Sequence, residues 1–336
     1  MFSTNIYNTF FFSTSNTAGA FVADAATMPL HWIYDQDYVE SKVKPASEYS
    51  RGPEFYSPPS CPFYNYGEGR QSPYGDEVVP IMLSLAEKGH LDLEHCREAS
   101  FRFCKSYTGR LNKSMQKFLE NRELGKDWSE CAVEEDMQFL AMMKIPIIVA
   151  RYAGNPTLMD KLDAAVRMHQ TNVRVITAAR FVARLLEKIV LGFSAAEALR
   201  WAKTGVEFSA EEKEFLSFLD DGENVPFSAA ADKYGLNGQL PGCLKASLYG
   251  VKIFRGYEMA VRANIVAAGD NVARSWLIGS FLAAEQGTHI IPSGWCDNML
   301  MYEKISGLAD VIVESNKNLD VEIEKGCNLP GLFISG

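Results

Sequence analysis

The feature that most restricts this chain is a three- and four-residue rhythm of apolar side chains, with no alternating runs to compete with it. The stretch "RVITAARFVARLLEKIVLG" (174–192) carries the rhythm over five turns and closes on Gly192, a residue suited to the left-handed end of a helix. "DKLDAAVRMHQ" precedes it, and "SAAEALRWAK", "SAEEKEFLSFLDDG" and "GYEMAVRANIVAAG" follow, each opening at a residue that caps a helix or admits one. "CDNMLMYEKISGLADVIVES" (296–315) reads as a further amphipathic helix, weakened at Gly307. No strand pair with a hairpin signal and no strand–helix–strand alternation occurs. The expected fold is all-α, as one large helical domain over residues 18–336 behind an N-terminal extension of residues 1–17.

One region breaks the rhythm. Lys44 to Gly75 is dense in proline, glycine and aromatic residues, and is expected to pack as a long irregular segment across one end of the helices. The chain's 336 residues suffice for a sizeable core. With 33 basic against 42 acidic side chains, the net charge of -9 argues against nucleic acid or an anionic membrane as the main partner. No segment approaches the roughly 20 apolar residues of a membrane span. Phe10–Phe12 lacks the basic flank of a signal sequence and is read as packing. Seven cysteines without CxxC spacing fit reduced thiols in a cytoplasmic protein. This reading allows self-association at high concentration.

Three acidic positions stand at starts or interruptions of apolar helices. Asp24 lies in "GAFVADAATMPLHWIYD", with His31 and Trp32 just beyond. Asp76 and Glu77 lie in "YGDEVVPIMLSLAE", read as preceding a helix with Pro80 in its first turn. Asp270 lies in "AAGDNVARSWL". Each has an ordinary structural explanation, since aspartate caps helices and complements their dipole. Together they are the oxygen donors a hard cation requires. His31 and Trp32 read either as a packing cluster or as a ligand-facing pair, with Trp32 able to stack on a base. His169 reads as a satisfied core or boundary histidine. "GEGR" (67–70) lacks the strand–turn–helix setting of a phosphate loop, and no cysteine has an activating partner by spacing.

These motifs, in this order, resemble the ADP-ribosylglycohydrolase superfamily from about Gly19 to Trp295. "ADAATMPLHWIYD", "VRMHQTNVRVITAARFVARLLEK" and "VRANIVAAGDNVARSWLIGSFLAAEQG" are similar to the branch of jellyfish J-type lens crystallins and selenoprotein J. The resemblance implies an all-α domain with a two-magnesium cleft for ADP-ribose, where a carboxylate assists attack by water. Active relatives carry Thr-Asp-Asp early and Asp-x-Asp-Thr/Ser late. Here Asp76 and Glu77 fall on the early acids and Gly75 on the threonine. Asp270 falls on the first late aspartate, Val272 on the second and Ala273 on the hydroxyl residue. Val272 and Ala273 offer no lone pairs, so the resemblance implies at most one weakly bound magnesium at Asp76, Glu77 and Asp270. The primary expectation is no cofactor. No catalytic residue is assigned; Asp24, Asp76 and Glu77 are remnant candidates. Arg274, one turn after Asp270, is expected to border the vacated position and pair with one of the acids.

Three functions follow from this reading. One is a catalytically degenerate structural crystallin. The second is a magnesium-dependent hydrolase of ADP-ribosyl or related glycosidic bonds, and the third a module that binds an ADP-ribose-like molecule without cutting it.

Overall fold

The computed structural model describes residues 2–48, 52–221 and 225–326, with side chains described over 11–43, 52–221 and 225–315. The helices are α1 (Phe2–Thr27), α2 (Gln36–Glu48), α3 (Pro73–Lys88), α4 (Leu93–Ser106), α5 (Lys113–Glu123) and α6 (Leu140–Met143). They continue as α7 (Ile145–Tyr152), α8 (Leu158–Arg167), α9 (Val173–Val190), α10 (Ala195–Thr204), α11 (Ala210–Glu214) and α12 (Phe227–Tyr234). The series ends with α13 (Gly242–Ile253), α14 (Tyr257–Val266), α15 (Asn271–Gln286), α16 (Ser293–Asn298) and α17 (Tyr302–Gly326). Among the described residues the only β pairing is three isolated bridges, so the all-α expectation holds. The expected junction after residue 17 falls inside α1, which runs unbroken through it.

The centre of the fold is the crossing of α1 and α15. A Cβ built on Gly19 would lie 2.5 Å from Ala283 Cβ, one on Gly279 would lie 2.7 Å from Ala23 Cβ, and Thr27 Oγ1 is 2.8 Å from Ser275 Oγ. The pairs 19/283, 23/279 and 27/275 step by four residues in opposite directions, so the two helices run antiparallel in that register. Small residues at each step let the backbones approach, and Phe21 meets Trp276 edge-on at 4.7 Å beside them. This register has a functional consequence. It brings the end of α1 and the start of α15 to the same end of the molecule.

Local chemistry explains most helix boundaries and moves several expected ones. Helix α3 starts earlier than the spacing suggested, because Ser72 caps it by accepting from Tyr74 N at 3.1 Å and Gly75 N at 3.4 Å, and Pro73 takes the first helical position. Asp76 and Glu77 therefore sit within α3, and Pro80 is an interior residue. Ser194 and Glu197 form a reciprocal capping box at α10. The helix expected from Cys296 is split: the chain extends at Met299, and Leu300 N donates to Gly69 O at 3.0 Å before α17 begins. The irregular segment is shorter than expected, because α2 runs to Glu48 and α3 begins at Pro73. Residues 49–51 of that segment lie outside the described residues, as do Cys327 and the rest of 327–336. The remainder lies across the helix ends, with Phe55 N donating to Ala26 O and Ser60 N to Pro29 O. The six described cysteines are free thiols, and no described helix is long and apolar enough to cross a membrane.

Candidate functional site

The antiparallel crossing, the start of α3 and the irregular segment converge on a layer of buried polar side chains. Asp24, in the last turns of α1, is fully buried. It accepts from Ser72 N at 2.7 Å and Ser72 Oγ at 2.6 Å, so the residue that caps α3 also binds α3 to α1. Burial pushes the Asp24 carboxyl up to about 7, against the lowering effect of the Ser72 bonds. A Cβ at Gly75 would lie 3.0 Å from Asp24 Oδ1 and 2.7 Å from the end of the Gln71 side-chain amide, so a side chain there would have to displace them. The place where active relatives carry a threonine is thus filled by Asp24 and Gln71.

Asp76 accepts from Tyr107 Oη at 2.8 Å, and Arg70 Nη2 stands 3.6 Å from the same oxygen. Burial raises its carboxyl, partly countered by Tyr107 and Arg70. Glu77 is fully enclosed and accepts from Asn112 N at 2.6 Å and from Asn112 Nδ2. Burial raises it well above the ordinary glutamate range. The "GEGR" stretch forms a turn, with Arg70 N donating to Gly67 O at 3.3 Å. Its Arg70 is a brace on Asp76 and on the Tyr66 ring, 4.7 Å away.

Asp270 is the N-cap of α15 and accepts from Ala273 N at 3.3 Å. Its other contacts decide its role. His31 Nε2 donates to Oδ1 at 2.9 Å and Tyr74 Oη donates to Oδ2 at 3.0 Å. Since a carboxylate only accepts, Nε2 carries the proton, and Nδ1 is left to accept from Tyr64 Oη at 2.7 Å. Burial of Asp270 raises its pKa, but the hydrogen bond from His31, with that from Trp32 and the nearby Arg274 charge, outweighs it and the carboxyl lies below the ordinary range. Burial lowers His31 and keeps it neutral, in part against Asp270. The turn ahead of the cap is held in an unusual backbone: Trp32, Ala268 and Gly269 have φ of 59°, 61° and 70°, and Trp32 N donates to Gly269 O.

Arg274 corrects an expectation. It is fully buried, yet it makes no ion pair with any of the acids. Its Nε donates to Asn264 Oδ1 at 2.7 Å, its Nη1 to Leu236 O at 3.2 Å and its Nη2 to Ala268 O. The guanidinium fork matches one carbonyl of the strained turn, Ala268 O, together with Leu236 O and the Asn264 side-chain oxygen, while His31 and Tyr74 already occupy Asp270. His169 is also corrected. It is a core residue, 4.7 Å edge-on from Phe118, but both ring nitrogens lack a hydrogen-bond partner among the described residues.

The donor set does not fit a two-magnesium centre. Val272 and Ala273 are fully buried aliphatic residues, and Asp76, Glu77 and Asp270 are each engaged by separate neutral or cationic donors. Among the described residues no three His, Cys, Asp or Glu side chains are spaced to hold a metal ion. The shared site expected from Asp76, Glu77 and Asp270 is not assembled. His31, expected to face a ligand, is fully buried with both nitrogens used. Trp32 is partly buried; Phe63 meets it edge-on at 5.4 Å and the Arg110 guanidinium stands 5.4 Å from both rings. Tyr64, Ser72, Tyr74, Tyr107 and Asn112 escaped the sequence reading. Ser72 and Tyr74 adjoin the acidic pair in "SPYGDE", but Tyr107 and Asn112 carry no local signal.

Asp24 gives a pH prediction. Between its ordinary value of 3.8 and about 7 the folded chain holds a proton that the unfolded chain has released. Stability on this account falls as pH rises through that window, by about 4 kcal/mol at most, and is level above it. Asp24→Asn is expected to gain stability relative to wild type between pH 4 and 8 in urea denaturation. A constant difference across that range is the opposing result.

The architecture is that of a helical glycohydrolase. The profile of the family described as ADP-ribosylglycohydrolase matches residues 17–321, and the chain belongs to that family. Within it, the chain is 30% identical to Crystallin J1A of Tripedalia cystophora over 292 residues, covering 82% of this chain and 88% of that protein. It is 28% identical to Crystallin J1B of the same organism over 314 residues, covering 89% and 95%. A solved structure described as an ADP-ribosylglycohydrolase-related protein complex superposes with a TM-score of 0.72 at 18% identity, covering 92% of this chain and 99% of that one. That likeness establishes the fold.

Proposed function

We propose that this chain is a catalytically degenerate member of its family, retained as a stable structural protein of the crystallin kind in the cytoplasm. The observation that carries this reading is the engagement of Asp270. The carboxylate that would face a metal is taken up by His31 and Tyr74, and its two motif partners are the buried aliphatics Val272 and Ala273. A metal that polarises substrate supplies several kcal/mol of transition-state stabilisation, which aliphatic side chains cannot replace. The similarity to two J1 crystallins and the net charge of -9, which favours solubility at high concentration, support the same reading. Nucleic acid and membranes are not its partners on this account.

The test is hydrolysis of ADP-ribosylated peptide and O-acetyl-ADP-ribose with magnesium in excess. No turnover above background is expected. Magnesium-dependent turnover near the roughly 10 per second typical of enzymes would overturn the reading. A second reading is supported by the exposed Phe63, the Arg110 guanidinium and Trp32, which together offer rings and a cation to a planar anionic ligand. On that reading ADP-ribose binds without being cut, and Phe63→Ala weakens its binding.

A further inference from the structure

The irregular segment carries a thiol that connects the buried polar layer to the surface. Among the described cysteines only Cys61 and Cys296 are partly exposed. The backbone N–H groups of Phe63 and Tyr64 and the Tyr64 hydroxyl are hydrogen-bond partners of the Cys61 sulfur. Behind that tyrosine the contacts continue inward. Tyr64 Oη donates to His31 Nδ1 at 2.7 Å, with Met28 O a more distant acceptor at 3.4 Å, and His31 Nε2 donates to Asp270 Oδ1 at 2.9 Å. His31 and Asp270 are sealed from solvent, at 0% and 2% exposure. Tyr64 reaches His31 across 33 residues, so no spacing in the sequence shows this link.

Four groups in series have two matched arrangements. In the first, the thiol donates to Tyr64 Oη, Tyr64 donates to His31 Nδ1, and His31 Nε2 donates to Asp270. In the second, the thiol proton has moved to Oη and the Oη proton to Nδ1, so the two outer bonds are reversed and Asp270 faces an imidazolium. Burial raises the Cys61 thiol above its ordinary value, so the first arrangement is the resting one. The thiolate therefore forms only as it reacts, with Tyr64 and His31 as the route for its proton. The Arg110 guanidinium, 5.4 Å from the Trp32 ring and from the exposed Phe63 ring, places a positive charge near the sulfur.

We propose that Cys61 is a nucleophilic thiol that takes up a small electrophilic carbon compound bearing a carboxylate. Sγ attacks the carbon, and the S–C bond forms as the bond to the leaving group breaks. The leaving group departs with that electron pair. The thiol proton passes to Tyr64 Oη as the Tyr64 proton passes to His31 Nδ1, and one proton is released to solvent when the series resets. Arg110 attracts the carboxylate, and the N–H groups of Phe63 and Tyr64 stabilise the charge developing on sulfur. Asp270 contributes only by positioning His31, so the proposal stands apart from whether the chain cuts glycosidic bonds.

The experiment is alkylation of the full chain at neutral pH by iodoacetate and, separately, by iodoacetamide, with the rate at each cysteine read by peptide mass spectrometry. Cys296 is the reference thiol in the same molecule. It is partly exposed and hydrogen-bonded to the Tyr302 hydroxyl, but that tyrosine leads on to Ser306 and not to a histidine. Cys61 is expected to react with iodoacetate at least about tenfold faster than Cys296, a small part of what general-base assistance supplies. The preference for iodoacetate over iodoacetamide should be about threefold greater at Cys61 than at Cys296, as one nearby charge in water provides. Tyr64→Phe removes the hydroxyl and keeps the ring, which lies 4.4 Å from that of Tyr66. It should slow Cys61 about tenfold and leave Cys296 unchanged. Arg110→Gln should bring the reagent preference at Cys61 to that at Cys296. If Tyr64→Phe speeds Cys296, the variant has loosened, and the wild-type rates and Arg110→Gln decide. Equal rates at the two cysteines of the wild-type chain overturn the proposal. So does a Cys61 rate that survives Tyr64→Phe, or a reagent preference that Arg110→Gln leaves in place.

Discussion

Replacing Gly279 by valine is expected to destabilise the fold by more than about 3 kcal/mol. A Cβ at this position would lie 2.5 Å from the carbonyl oxygen of Gly19 and 2.7 Å from Ala23 Cβ. The first obstacle is backbone, so no side chain can turn aside. The α1–α15 crossing has to open, and the register that pairs Thr27 with Ser275 opens with it. Gly307→Ala is the matched control. Gly307 lies on α17, an added Cβ there meets nothing within 4 Å, and the helix gains about 0.5–1 kcal/mol from alanine. Urea denaturation of both variants separates the readings. A Gly279→Val shift within about 0.5 kcal/mol of wild type would mean that the crossing is not the centre of the fold.

His31→Leu is expected to destabilise by about 3 kcal/mol at neutral pH, because it removes the 2.9 Å Nε2 donor from the fully buried Asp270 carboxylate. The effect should depend on pH in a fixed direction. In wild type Asp270 lies below its ordinary 3.8, so its contribution is present above that pH and is lost as pH falls through the folded value. His31 is depressed below 6.5, so protonation of the unfolded chain also removes stability as pH falls. The variant lacks both contributions, and its buried Asp270 is expected to rise above 3.8, which destabilises it further as pH increases. The gap between the two proteins should therefore widen from pH 4 to pH 7. A gap that is constant, or that narrows with rising pH, would contradict the His31–Asp270 bond.

How much of this was legible in the sequence depended on whether the cause was local. Apolar spacing specified α8, α9, α10 and α14, because each buries one stripe of its surface. Asp270 as an N-cap was readable from its position before "NVARSWL", as was the loss of donors at Val272 and Ala273. The start of α3 was misplaced because Ser72-Pro73 is a stronger start signal than the acidic pair that follows it. The partners of the acids were not readable. Tyr107 reaches Asp76 across 31 residues, Asn112 reaches Glu77 across 35 and His31 reaches Asp270 across 239. Arg274 shows why. Charge alone suggested a carboxylate partner, but three carbonyl-type acceptors matched the guanidinium fork and were set in place by the backbone of residues 236 and 268 and by Asn264.

The central claim is that Asp270 serves as an internal acceptor and no longer as a metal ligand. Calorimetric titration of magnesium into the wild-type chain and into Asp270→Asn tests it most directly, with thermal stability recorded for both at each magnesium concentration. The account predicts no binding in the micromolar range for either protein, and a lower melting temperature for Asp270→Asn by the same amount with and without magnesium. Micromolar magnesium binding to wild type that Asp270→Asn abolishes, with the stability difference appearing only when magnesium is present, would contradict it.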